Sequence, residues 1–208
     1  TIGSTFESRQ TLPPQRSPAQ MCLPSASTCT ALTDPHLRPS GNVPKSRIKG
    51  AELQLVVTPV EGLRANIGAT YIDSKVTRSF SNYTAFGAVT DFNGFRFPYT
   101  PKWQVNADLE YRWDVGGSKE AFVGANYTYR SSTYGDFKPD ARLSIDDYGL
   151  LDLRAGIGDI DGKWTASLYA QNVTNEYYWN TAARRGDAVI RFTGMPVTYG
   201  VNVSFKFK

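Results

Sequence analysis

From Thr198 to the end of the chain, apolar and polar residues alternate without a break. Tyr199, Val201, Val203, Phe205 and Phe207 point one way, and Thr198, Gly200, Asn202, Ser204, Lys206 and Lys208 the other. Side chains with a period of two make this a strand with one apolar and one polar face. The pattern recurs six more times upstream, with large aromatics near the ends of the apolar face. Repeated one-sided strands with aromatic girdles predict an all-β, antiparallel transmembrane β-barrel portion.

The first upstream strand is predicted over about 43–58, with Ala51, Leu53, Leu55 and Val57 on its apolar face. The second covers about 63–78, with Leu63, Ala65, Ile67, Ala69 and Tyr71. The third, about 99–114, alternates most cleanly: Trp103, Val105, Ala107, Leu109, Tyr111 and Trp113 stand against Gln104, Asn106, Asp108, Glu110 and Arg112. The fourth covers about 119–133, the fifth about 145–158, the sixth about 163–173, and the seventh starts at Val197.

Short turns, mostly marked by Gly, follow strands one, three and five, and long loops follow two, four and six (79–97, 134–144 and 174–194). Outer-membrane barrels connect strands in this way, with short turns on one side of the membrane and long loops on the other. On the polar face, Asp108, Glu110, Arg112, Arg130, Asp152 and Arg154 do not suit a dry core, because unpaired buried charge is costly. They suit a wide hydrated interior, which needs many more than seven strands. Seven is also odd, whereas bacterial single-chain barrels have even counts, so further strands are expected upstream.

Composition adds exclusions. No apolar run reaches about 18 residues, so no spanning helix is predicted. The net charge of +4 comes from lysines and arginines spread along the chain, which argues against nucleic-acid binding. Residues 1–42 differ in texture: they carry Pro13, Pro14, Pro18, Pro24, Pro35 and Pro39, many Ser and Thr, and no sustained alternation. They are expected to be an irregular segment, disordered or foreign to the barrel, preceding a barrel portion over 43–208. Cys22 and Cys29 lie there, either as free thiols or as a loop disulfide, and the lone His36 has no neighbouring ligand partner. The chain begins at Thr1 without a readable leader, which is expected of a fragment.

Four stretches carry a resemblance. Leu168-Tyr169-Ala170-Gln171-Asn172-Val173-Thr174-Asn175-Glu176-Tyr177-Tyr178 ends a strand in an Asn-containing turn followed by aromatics, and Gly194-Met195-Pro196 precedes the last strand. Lys49-Gly50-Ala51-Glu52 and Pro98-Tyr99-Thr100-Pro101 each open a strand. Together, and in the family's order along the chain over about 43–208, they resemble the C-terminal barrel part of TonB-dependent outer-membrane receptors, although Lys208 after the terminal aromatic departs from the pattern. The resemblance implies a portion of a barrel of about 22 strands. It also implies uptake of siderophore-iron, haem, vitamin B12 or another scarce solute in the outer membrane of a Gram-negative bacterium. Lipid and the solute would be direct partners, and the TonB complex would act only through a plug and TonB box, which this sequence lacks. On that expectation the fragment alone is not transport-competent.

Ligands of such receptors meet the outer loops. Tyr83, Phe86, Phe92, Phe95, Tyr134, Tyr177, Tyr178 and Trp179, with Arg184 and Arg185, are the candidates for gripping an aromatic, anionic chelate by stacking and charge. The bland alternative is that they form the outer girdle and loop packing. Tyr111, Trp113, Trp164 and Tyr199 are expected to be girdle anchors. No phosphate-binding Gly loop, Ser-His-Asp set or metal cluster is present, so no enzyme, metal or cofactor is expected. Two other functions remain open: a passive porin-like channel, and a soluble ligand-binding β-barrel.

Overall fold

The computed structural model describes residues 45–206. The expectations for residues 1–42, including Cys22, Cys29 and His36, and those for Val43, Phe207 and Lys208 lie outside them. The described residues form thirteen strands, beginning with β1 (Ser46–Val57), β2 (Leu63–Val76), β3 (Ser81–Tyr83), β4 (Val89–Asp91), β5 (Trp103–Gly116), β6 (Lys119–Arg130) and β7 (Thr133–Tyr134). After a single 3-10 turn at Ala141–Leu143 come β8 (Ser144–Ile145), β9 (Tyr148–Asp159), β10 (Trp164–Gln171), β11 (Trp179–Arg185), β12 (Ala188–Thr193) and β13 (Thr198–Phe205). Seven of them build one antiparallel sheet in the order β1-β2-β5-β6-β9-β10-β13, so every connection joins neighbouring strands.

The alternation sets the register. Val57, Ala65, Leu109, Ala125, Leu153, Ala170 and Tyr199 stand opposite one another from edge to edge. A slip of one residue would move every one of them to the polar face. The apolar face is bare: Leu53 is 58% exposed, Leu168 61% and Val201 68%. A single sheet layer that leaves such a face uncovered needs a lipid or protein partner to bury it.

Aromatics border that face at both ends. Tyr71 and Trp103 meet at a tilt of 50° with ring centroids 4.8 Å apart, and Tyr111 and Trp113 stack at 5.6 Å. Trp103 and Trp113 are ten positions apart on β5. That is roughly 34 Å along the strand, or about 24–26 Å once tilted by about 40–45°, close to the about 25 Å apolar band of an outer-membrane barrel.

The observed strand ends differ from the sequence expectation where loops take over. β5 starts at Trp103 and not at 99, because Tyr99 adopts φ 54° between Pro98 and Pro101 and leaves the extended region. β6 stops at Arg130, and β9 begins at Tyr148, because Thr133–Tyr134 and Ser144–Ile145 pair with each other instead. The long connections expected as plain loops each contain a small hairpin: β3–β4, β7–β8 and β11–β12. All three project from one end of the sheet, and the short turns from the other.

Candidate functional site

The buried apolar residues among those described gather at this loop end: Val76 and Tyr148 at the outer ends of β2 and β9, and Ala85, Phe92, Leu143, Ile145 and Ala182 in the connections. Ala85, Leu143, Ile145 and Ala182 are 7, 0, 4 and 0% exposed and form one cluster, with Phe86, Trp179 and Val189 packed against it. Each hairpin contributes, so the three connections share one small core. Directed hydrogen bonds tie the pieces: the Tyr99 hydroxyl donates to the Ala182 carbonyl at 2.7 Å, Trp179 Nε1 to the Ser144 carbonyl at 3.0 Å, and the Ala85 amide to Asp136 Oδ2 at 2.6 Å. Gly135 sits directly against the Ala182 carbonyl. A second cluster gathers Phe92 with Phe80, Phe95 and Phe137, at centroid distances of 6.0, 6.3 and 5.2 Å.

Arginines lie over the aromatics of the first cluster. Arg142 places its guanidinium carbon 3.4 Å from the centroid of Phe86, and Arg184 approaches the same ring at 5.3 Å. Arg191 lies 4.9 Å from the Trp179 centroid. Asp140, which caps the 3-10 turn, accepts from Arg142 Nε at 2.9 Å and Nη2 at 2.8 Å, and from the Arg142 amide at 2.9 Å. These bonds hold its carboxyl down at about 2. The Phe80 and Asn93 amides and the Ser79 hydroxyl likewise lower the Asp91 carboxyl. Burial, aided by the Asp136 charge, pushes the Tyr99 hydroxyl up, which keeps it a neutral donor.

The candidates named from sequence divide by placement. Tyr83, Tyr134 and Tyr177 are exposed by 55, 39 and 74%. Arg185 is exposed at the end of β11. Phe86, Trp179 and Arg184 belong to the stacked cluster, and Arg184 also donates to the Ala85 carbonyl at 3.1 Å. Phe92 is buried at 2% and contacts Phe95 within the second cluster. Tyr178 packs tilted against Tyr148 at 4.4 Å, with its ring against Gly194. The sheet anchors Tyr111, Trp113, Trp164 and Tyr199 all lie on the apolar face near its borders.

Arg142, Arg191, Tyr99 and Tyr148 escaped the sequence reading. Tyr148 left a signal: an aromatic at the outer end of a polar-face row, in register with Arg130. Arg142 left none, since its partner ring is remote in sequence.

The base of the last long loop is pinned by Asn172. Its Nδ2 donates to the Glu176 and Met195 carbonyls, both at 3.0 Å, and its Oδ1 accepts from the Glu176 amide at 2.9 Å. Asn172 and Asn175 adopt φ 49° and 51°, the left-handed region that Asn tolerates. Asn175 Oδ1 in turn accepts from the Val197 amide at 3.2 Å, which fixes the start of β13.

The polar face of the sheet is layered. From mid-strand down to the short turns, Arg154 and Arg112 bind Asp108, Glu110 and Glu120 in one network. Above it, in an uncharged row, Thr128 Oγ1 bonds Asn106 Oδ1 at 3.1 Å; it also bonds, at 3.4 Å, Oδ1 of Asn126, which stands one row lower between Asp108 and Asp152. Arg130 stands at the top, between Gln104 and Tyr148 in register. Among the described residues, no helix is long and apolar enough to cross a membrane, and no group of His, Cys, Asp or Glu could hold a metal ion.

A family model described as TonB dependent receptor-like, beta-barrel, matches residues 10–173. Among solved structures, the siderophore receptor PiuA from Acinetobacter baumannii aligns with 76% of this chain and 21% of its own, at 22% identity and a TM-score of 0.60. The ferric yersiniabactin uptake receptor FyuA from Yersinia pestis aligns with 78% of this chain and 24% of its own, at 18% identity and a TM-score of 0.63. BauA, the ferric preacinetobactin receptor from Acinetobacter baumannii, aligns with 76% and 22%, at 25% identity and a TM-score of 0.56. The chain thus spans between a fifth and a quarter of these receptors.

Proposed function

Since the chain belongs to the TonB-dependent receptor β-barrel family, we propose that it forms part of the wall and outer loops of a Gram-negative outer-membrane receptor that imports a siderophore-iron complex or a similar scarce solute. Its role there is to bind and admit the solute without catalysing a reaction. The receptors it aligns with are described as siderophore receptors, which supports this reading.

The observation that carries it is the loop cap. Exposed Tyr83, Tyr134, Tyr177 and Arg185 offer stacking surface and positive charge at the end of the sheet where the long loops gather. Beneath them Phe86, Trp179 and Arg184 form the stacked cluster, and Phe92, Phe95 and Tyr178 hold the loops in place. This rigid arrangement reduces the ordering cost of binding. The apolar face contacts outer-membrane lipid, and energy from the TonB complex reaches the solute through parts of the receptor outside this sequence.

The test is uptake of radioiron by iron-starved cells that carry the complete receptor, offered as several ferric siderophores, with and without an intact proton-motive force. Energy-dependent uptake of at least one complex that is lost on deletion of the receptor is expected. Entry that persists without the proton-motive force would indicate a passive channel instead.

A further inference from the structure

The apolar face of the sheet is not flat. The register sets Ala170 on β10, Ala155 on β9 and Ala121 on β6 on one slanting line, each one strand over and two residues nearer the short turns than the last. In register on one side of them stand Tyr199, Leu168 and Ile157, and on the other Leu153, Val123 and Trp113. A line of single methyl groups thus runs between two ridges of large side chains. Around Ala155 and Ala170 the ridges enclose a groove of about 580 Å³, and Tyr199, 79% exposed, rises at its outer end.

The direction of the groove matters. The outermost apolar side chain drops by two residues from strand to strand, from Trp103 on β5 to Tyr129 on β6, Leu151 on β9 and Ala170 on β10, and this border follows the plane of the bilayer. The groove follows the opposite diagonal. With strands about 4.8 Å apart and two residues spanning about 6.8 Å, the two diagonals cross at about 70°. The groove therefore runs steeply through the apolar band, along the direction of lipid tails.

Its width selects the occupant. The ridges stand two strands apart, about 9.6 Å between backbones, and their side chains narrow the gap further. An α-helix with its side chains is about 10–12 Å across and does not fit. A single chain of methylene groups does, against the walls formed by Leu153, Val123, Leu168 and Tyr199.

From this shape we infer that the groove seats one acyl chain of a bilayer lipid, lengthwise against Ala155 and Ala170. The inference rests on the receptor reading, which turns this face to lipid, and adds to it a discrete lipid site on the wall. Lipid tails are as apolar as the wall, so the preference comes from close packing and not from escape from water.

The experiment reconstitutes the complete receptor in phosphatidylcholine vesicles in which a small fraction of the lipid carries a photoreactive diazirine in one acyl chain, and maps labelled residues by mass spectrometry. Ala107 is the reference: it lies on the same face, as far inside the border at Trp103 as Ala155 is inside Leu151, and outside the groove. Leu153, Ala155 and Leu168 are expected to be labelled about fivefold more than Ala107 and its partner Ile67, the preference that about ten added carbon contacts would give. Ala155→Phe, which fills the groove, should bring Leu153 and Leu168 down to the reference level, and Ala170→Leu should do so in part. Ala107→Phe should leave them unchanged. Equal labelling of both sets in the unaltered receptor, or labelling of Leu168 unmoved by Ala155→Phe and Ala170→Leu, overturns the inference. Labelling of Ala107 with none at Leu168 would show the groove covered by protein, such as a second copy of the chain, and overturns it too. Absence of label from both sets would remove the lipid-facing reading of the sheet, and this inference with it.

Discussion

Arg154 on β9 lies across Gly124 on β6, its direct partner in the ladder, and so reaches the carboxylates of β5 one strand further on. Its Nη1 bonds Asp108 Oδ2 at 2.8 Å, and its Nη2 bonds Glu110 Oε2 at 2.9 Å. A side chain at position 124 would occupy that path, since a Cβ there would stand 2.7 Å from Arg154 Nε. The glycine is thus what allows one guanidinium to clasp three strands.

Gly124→Val should therefore act through Arg154. It is expected to destabilise the sheet by about 1–2 kcal/mol, less than for a fully buried pair because these side chains keep some exposure to solvent. Arg154→Ala should cost a similar amount, and the double variant little more than either. Urea unfolding in lipid vesicles measures all three; full additivity would show that the two residues act independently.

Leu109 lies on the apolar face between the aromatic borders at Trp103 and Trp113. Leu109→Arg should cost about 2–4 kcal/mol in vesicles, as expected for arginine at the bilayer midplane. Asn106→Arg on the opposite face should fall within about 0.5 kcal/mol of the unaltered chain. Equal effects of the two would contradict the assignment of faces.

Asn172 is 4% exposed and holds two carbonyls and one amide of the last long loop while its own backbone is left-handed. Asn172→Ala should cost about 1–3 kcal/mol and speed protease cleavage within 173–197. Asn172→Asp keeps the acceptor for the Glu176 amide and the tolerance of positive φ, so its cleavage rate should be intermediate. A rate for the alanine variant equal to that of the unaltered chain would show that the loop is held elsewhere.

Asp140 contributes to the pH dependence of the cap. Its folded value of about 2 lies below the ordinary 3.8. The stabilisation is therefore full above the ordinary value and is lost as pH falls through the folded one. Carbon-13 titration of the Asp140 carboxyl should give a midpoint near 2, and in Arg142→Ala a midpoint back toward 3.8. A midpoint that ignores Arg142 would show that the pair does not form in solution.

The sheet was legible because burial on one side imposes a period of two, and Leu109 and Glu110 could be assigned to opposite faces by counting alone. Short turns and long loops could likewise be read from the positions of Gly and Asp. The hairpins in the loops could not: Ser81–Tyr83 has three residues and no alternation long enough to detect, and it is kept in place by contacts with other loops. The same limit applies to Phe92. An aromatic in a loop reads alike whether it waits for a ligand or fills a cluster, and only the fold places Phe92 between Phe80 and Phe137. Arg142 became visible only when the chain brought it over Phe86.

The most direct test of the chain as a receptor wall is a nitroxide scan of residues 103–114 in the complete receptor reconstituted in vesicles, read by collision with oxygen, which concentrates in lipid, and with a water-soluble nickel chelate. Odd positions from 103 to 113 should collide with oxygen and even positions with nickel, alternating residue by residue along β5. Uniform access to nickel at both sets would contradict a strand that separates lipid from a hydrated lumen.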